Sequence, residues 1–144
     1  AARMEVAAMD APATLDGGDC LRLGRTLYVG RSARTSAAGI ARAAEVFGRR
    51  GLDVVAVDLS PDVLHLKCVC ARLADDRVLV VRGALPDGVF GAADVVWVPP
   101  EEAYAANVVA VDDRVVVGTR DAGEPFVVPA SQSSPSDPIA VVPQ

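Results

Sequence analysis

One histidine, His65, stands among 144 residues, and imidazole is the side chain whose charge changes near neutral pH. Upstream lies an acidic turn, Asp16-Gly17-Gly18-Asp19. A carboxylate that accepts an imidazole N–H fixes the ring's tautomer and supports general acid/base catalysis. Gly17 and Gly18 let the backbone approach a ligand closely. A bland alternative stands beside each feature: Asp-Gly-Gly-Asp also makes an ordinary tight turn, and His65 also suits the solvated face of a half-buried sheet.

Arg34 precedes a helix start at Thr35 or Ser36. Cations are disfavoured at a helix N-terminus and a bound carboxylate is favoured there. An arginine beside exposed helix N–H groups can therefore clamp a substrate carboxylate; an exposed loop arginine is the alternative. Cys68 and Cys70 share an alternation phase with Leu66, which predicts buried small hydrophobes rather than reactive thiols. Their C-x-C spacing is not the C-x-x-C of a zinc knuckle, and a lone histidine adds little ligand supply, so no metal is expected. Cys20 adjoins the acidic turn, but its phase differs from that of Asp19, which argues against a nucleophilic role.

These residues need elements to hold them. Val63 to Ala71 reads as a strand with His65 and Lys67, the single lysine, on one face and Leu64, Leu66 and Cys68 on the other. Glu5 to Met9 reads as an earlier strand. Cys20 to Gly24 and Thr26 to Gly30 form a hairpin bent at Arg25. A helix follows, with Ile40, Ala43, Ala44 and Phe47 at helical spacing and Gly51 after its end. Asp53 to Leu59 is the next strand. The order then recurs: Val63 to Ala71 with Arg77 to Val81 around Asp75-Asp76, a helical turn over Pro86 to Phe90, and a strand over Asp94 to Val98. A third hairpin joins Ala106–Val111 to Arg114–Val117 around Asp112-Asp113.

Matching first-arm positions hold Asp19, His65 and Asn107, a recurrence at roughly 40 to 50 residues that signals stacked supersecondary units. Units of strand–strand–helix–strand around an axis would gather these three polar residues at one central hollow. Beyond Gly118 the pattern dissolves. Residues 119–144 are expected to be irregular, and Ala130 to Pro138, rich in Ser and Pro, to be disordered. The expected organisation is one domain over 1–118 and a tail.

Composition bounds the partners. Hydrophobic residues make up 51% and aromatics only 4%, so the core is Val, Ala and Leu, which favours strands. A net charge of −5 argues against nucleic acid or an acidic membrane surface. No apolar run reaches the roughly 18 residues that a membrane helix needs. The N-terminal residues lack a signal-peptide pattern, and three cysteines suit a reducing cytoplasm better than a disulfide framework.

Four motifs occur in order: Ala13-Thr14-Leu15-Asp16-Gly17-Gly18-Asp19, Gly30-Arg31-Ser32-Ala33-Arg34-Thr35, Leu64-His65-Leu66-Lys67 and Tyr104-Ala105-Ala106-Asn107. Over about residues 3–118 the chain resembles the dimethylarginine dimethylaminohydrolases, relatives of arginine deiminases and amidinotransferases in the guanidino-modifying superfamily. Leu-His-Leu-Lys, where deiminases carry His-x-Asp, favours the dimethylarginine branch. The resemblance implies an α/β fold, a five-fold propeller (pentein) of ββαβ repeats with about three of five blades present. It implies hydrolysis of free methylated arginine to citrulline and a methylamine, through a cysteine thiolate and without a cofactor. By motif, His65 is the general acid/base, Asp16 orients it, Arg34 holds the substrate carboxylate, and Asp19 and Asn107 line the channel. The family's nucleophile lies in a last hairpin with no counterpart in this sequence. The expectation is therefore the acid/base half of a site, inactive alone. A non-catalytic binder of guanidino amino acids, an arginine deiminase-type enzyme and a fragment that self-associates through exposed sheet edges are the rival readings.

Overall fold

A computed structural model describes residues 6–111, 114–117 and 126–129, with side chains described through residue 109. Three small three-stranded sheets follow one another along the chain. In the first, β1 (Cys20–Leu23) pairs antiparallel with β2 (Thr26–Arg31), and β3 (Asp53–Asp58) pairs parallel to β2. The parallel pairing requires a crossover, which α1 (Ala37–Gly48) provides. Ser36 caps this helix, its hydroxyl accepting from the Gly39 N–H at 3.1 Å.

β2 is buried on both faces, and its alternation explains why. Leu27 and Val29 pack on Ile40 of α1, while Tyr28 points to the opposite face and joins the main core. Ile40 and Ala43 are buried and Phe47 half-buried, as the helical stripe predicts, but Ala44 is exposed. The apolar stripe is narrower than its sequence suggests because α1 rests on a single strand pair.

The second sheet repeats the arrangement, with β4 (Cys70–Arg72) antiparallel and β6 (Asp94–Val98) parallel to β5 (Arg77–Val81). Here turns replace the crossover helix. Its core is continuous with that of the first sheet: Leu21, Tyr28, Val57, Leu66, Val78, Val80, Phe90 and Val98 belong to one cluster. Tyr28 and Phe90 meet edge to face across the boundary, with ring centroids 4.9 Å apart. In the third sheet β7 (Val108–Val111), β8 (Arg114–Val117) and β9 (Phe126–Pro129) are all antiparallel. The leading strands adjoin, β1 against β4 and β4 against β7. The protein is thus a mixed α/β fold of repeated units, and among the described residues its sheets do not close on themselves.

Three expectations change. Val63 to Ala71 is not one strand: Leu66–Cys68 forms a 3₁₀ turn and β4 begins only at Cys70. Simple alternation therefore does not orient His65 and Lys67. Val6 to Met9 forms no strand, and Glu5 lies outside the described residues. β9 lies within the stretch expected to be irregular, and its antiparallel sense breaks the ββαβ pattern in the third unit. The Asp112-Asp113 turn and Ala130 to Pro138 lie outside the described residues.

Candidate active site

Each unit enters its first strand through a 3₁₀ turn, and these turns set the true correspondence. The N–H that closes the turn runs from Cys20 to the Gly17 carbonyl, from Val69 to the Leu66 carbonyl and from Asn107 to the Tyr104 carbonyl. Asp16 and His65 lead into the first two turns and correspond to Ala103 in the third, where the 3₁₀ segment is longer, Pro100–Ala106, and begins after Pro99. The sequence matched Asp19, His65 and Asn107, which is three residues out of step at Asp19 and four at Asn107. The reason is that strand β4 starts later than its apolar run suggests.

Asp16 accepts from the Gly18 N–H at 2.7 Å, and its own N–H donates to the Thr35 hydroxyl at 3.0 Å. His65 has extended backbone and makes no capping bond with its side chain, so the ring is free to lean across to the first unit. There its Nε2 lies 3.4 Å from Asp16 Oδ1, the side chains being 20% and 39% exposed. That distance is electrostatic contact, longer than an ordinary hydrogen bond. Buried Nε2 has no hydrogen-bond partner among the described residues. The ring covers Gly18 so closely that a Cβ there would stand 2.9 Å from His65 Cγ. The second glycine of the turn is thus a floor for the imidazole. The Gly18 N–H holds the Asp16 carboxyl below the usual range; burial opposes this, and the His65 and Arg34 charges reinforce it.

Asp19, expected to line the channel, is placed in the core. It is wholly buried, and both oxygens are engaged: Oδ1 accepts from Leu66 N–H at 3.0 Å, Oδ2 from the Ser32 and Thr35 hydroxyls at 2.6 Å each. Gly30 makes room for this arrangement, since a Cβ there would lie 3.0 Å from Leu66 Cβ and 3.1 Å from Asp19 Oδ1. Arg34 is exposed, in a loop whose shape comes from Ser32: that hydroxyl accepts the Arg34 N–H at 3.0 Å and the Thr35 N–H at 3.2 Å.

Asn107 caps the end of the third 3₁₀ segment, its backbone N–H donating to the Tyr104 carbonyl. It borders a cavity of about 500 Å³ with Lys67, Arg72 and apolar residues of β1, β4 and β7, a volume that none of Asp16, His65 and Arg34 lines. Lys67 connects the two places, its Nζ donating to the Gly17 carbonyl at 3.0 Å. Sequence reasoning passed over Lys67 as a site residue, although a single lysine two positions from a single histidine was the available signal. Cys20 is half-buried with Sγ 3.7 Å from the Asp16 carbonyl oxygen, and burial pushes its thiol up, with Lys67 opposing. Cys70 is fully buried and pushed up to about 12. Neither is an activated thiolate. Among the described residues no three His, Cys, Asp or Glu side chains cluster to hold a metal ion.

The family profile described as arginine deiminase matches residues 4–98. The chain is 34% identical over 113 residues to the N(G),N(G)-dimethylarginine dimethylaminohydrolase of Pseudomonas aeruginosa, covering 78% of this chain and 44% of that protein. It is 50% identical over 68 residues to the protein of the same name from Streptomyces coelicolor, covering 47% and 26%. A solved structure of the Pseudomonas aeruginosa protein, a cysteine-to-serine variant complexed with citrulline, superposes with a TM-score of 0.68 at 35% identity over 74% of this chain and 41% of that one. The chain thus spans less than half the length of these relatives.

Proposed function

The chain belongs to the arginine deiminase family and is dimethylarginine dimethylaminohydrolase-like, and from that premise we propose that it carries the acid/base half of a hydrolase for methylated arginine. Its three sheets are read as three blades of a five-fold ring, with the nucleophilic cysteine outside the 144 residues. The single observation that carries this reading is the Asp16–His65 contact over the Gly17-Gly18 turn. The relatives' names point to dimethylarginine as the substrate, and one relative is complexed with citrulline, which we read as the product.

In the proposed reaction a cysteine thiolate attacks the guanidinium carbon. The C–N bond to the methylamine breaks as protonated His65 gives its proton to the leaving nitrogen. Neutral His65 then takes a proton from water as the oxygen adds to that carbon, and the thiolate leaves to give citrulline. Asp16 keeps the ring oriented and offsets its positive charge. Arg34 pairs with the substrate α-carboxylate. Asn107 and Lys67 serve the neighbouring cavity rather than the reacting carbon.

A second reading is binding of guanidino amino acids without turnover, with exposed Arg34 just before α1 as the carboxylate clamp. Incubation with asymmetric dimethylarginine, assayed for citrulline and dimethylamine, separates the two when run on this chain and on a longer one that includes a downstream cysteine hairpin. The hydrolase reading requires citrulline from the longer chain and its loss on His65→Ala. Calorimetric binding lost on Arg34→Ala, with no citrulline from either chain, favours the binder. Ammonia in place of dimethylamine, from arginine, marks the deiminase-type reaction.

A further inference from the structure

Asp19 is a wholly buried acid whose acceptor oxygens meet three donors from two separate segments. Isolating a charge from water is costly unless every acceptor site is used, and a purely structural core position would be filled more simply by an apolar residue. The donors indicate what the carboxylate organises. Ser32 and Thr35 flank Arg34, and the same Ser32 hydroxyl accepts the Arg34 N–H. The Thr35 hydroxyl also accepts the Asp16 N–H. Leu66 N–H, from the second unit, belongs to the residue directly after His65. One side chain therefore reaches all three proposed functional residues at one remove, and touches none of their reactive atoms.

We propose that Asp19 is the positioning residue of the site, setting Asp16, His65 and Arg34 relative to one another through Thr35, Leu66 N–H and Ser32. The assignment rests on the functional reading of those three residues, but its test does not depend on turnover. Charge-assisted O–H···O bonds of about 2.6 Å are strong and directional, so this link fixes distance as well as contact. The Lys67 bond to the Gly17 carbonyl also ties the turn to the second unit, but it is exposed and held by a flexible stem.

The test is a cycle read by carbon-detected titration of the Asp16 carboxyl. In the parent chain His65→Asn removes a favourable charge and raises the Asp16 midpoint. In an Asp19→Asn background the same change is expected to leave that midpoint unmoved, because ring and carboxylate are no longer held together. The His65 ring resonance, the single imidazole signal of the chain, is expected to shift on Asp19→Asn. An equal Asp16 shift in both backgrounds would overturn the proposal, whatever happens to the melting temperature. Should Asp19→Asn lose its dispersed amide spectrum, Thr35→Val and Thr35→Ser decide. Coupling lost in the first and restored in the second supports positioning; full coupling in Thr35→Val refutes it. Failure of the hydrolase reading would appear instead as absent citrulline from the longer chain, with the coupling intact.

Discussion

Asp16 and His65 hold the same place in successive units, each leading into the 3₁₀ turn before its first strand, and their side chains meet at 3.4 Å. A repeat normally places equivalent residues at equivalent positions around an axis; here the two neighbours touch because His65 lies over a glycine. The acid and the base of the proposed pair are thus one structural position occupied twice.

Gly18→Ala is expected to dislodge the imidazole, because the new Cβ meets His65 Cγ at 2.9 Å. Overpacking of this kind costs about 1–3 kcal/mol. Urea denaturation together with the His65 ring resonances measures both effects. An unchanged imidazole environment would contradict the contact.

Acid stability should carry a signature of Asp16. Its carboxyl in the folded chain lies below the ordinary 3.8, chiefly through the Gly18 N–H. A lowered value means that the unfolded chain takes up the proton first. The stabilisation is therefore complete above the ordinary value and disappears as pH falls through the folded one. Asp16→Asn is expected to flatten that part of the profile, measured by urea midpoints at neutral pH and below pH 3.8. A profile of the same slope in the variant would exclude Asp16 as its source.

Thiol reactivity should follow burial. Cys70 is inaccessible and pushed up to about 12, with its Sγ 3.3 Å from the Leu66 carbonyl oxygen, whereas Cys68 is half-buried. Alkylation at mildly basic pH, followed by peptide mass spectrometry, is expected to modify Cys68 well before Cys70. Equal rates would show that the core around β4 opens readily.

Phe90 closes the boundary between the first two units against Tyr28. Phe90→Ala should cost about 3–5 kcal/mol, the usual range for removing a buried aromatic. A calorimetric melt would reveal it, together with loss of cooperativity between the units. A loss below about 1 kcal/mol, the scale of a surface change, would mean that the units are not joined there.

Much of this protein was written locally. The hairpin of β1 and β2, the Ser36-capped helix and the β5 and β6 strands follow from alternation, capping chemistry and turn residues that act over a few positions. The four motifs likewise named Asp16, His65 and Arg34, because each motif is a short run of neighbouring residues. What sequence could not supply was phase. The run Val63 to Ala71 reads as one strand, yet Leu66–Cys68 coils because the Leu66 N–H is claimed by Asp19, 47 positions away. Nor does anything local to Asp19 announce that Ser32, Thr35 and Leu66 will surround it. Residue types and short-range spacing determined which groups could do chemistry. Only tertiary packing decided which acid faces the imidazole and which one is buried, since that choice is made by hydrogen bonds between segments far apart in the chain.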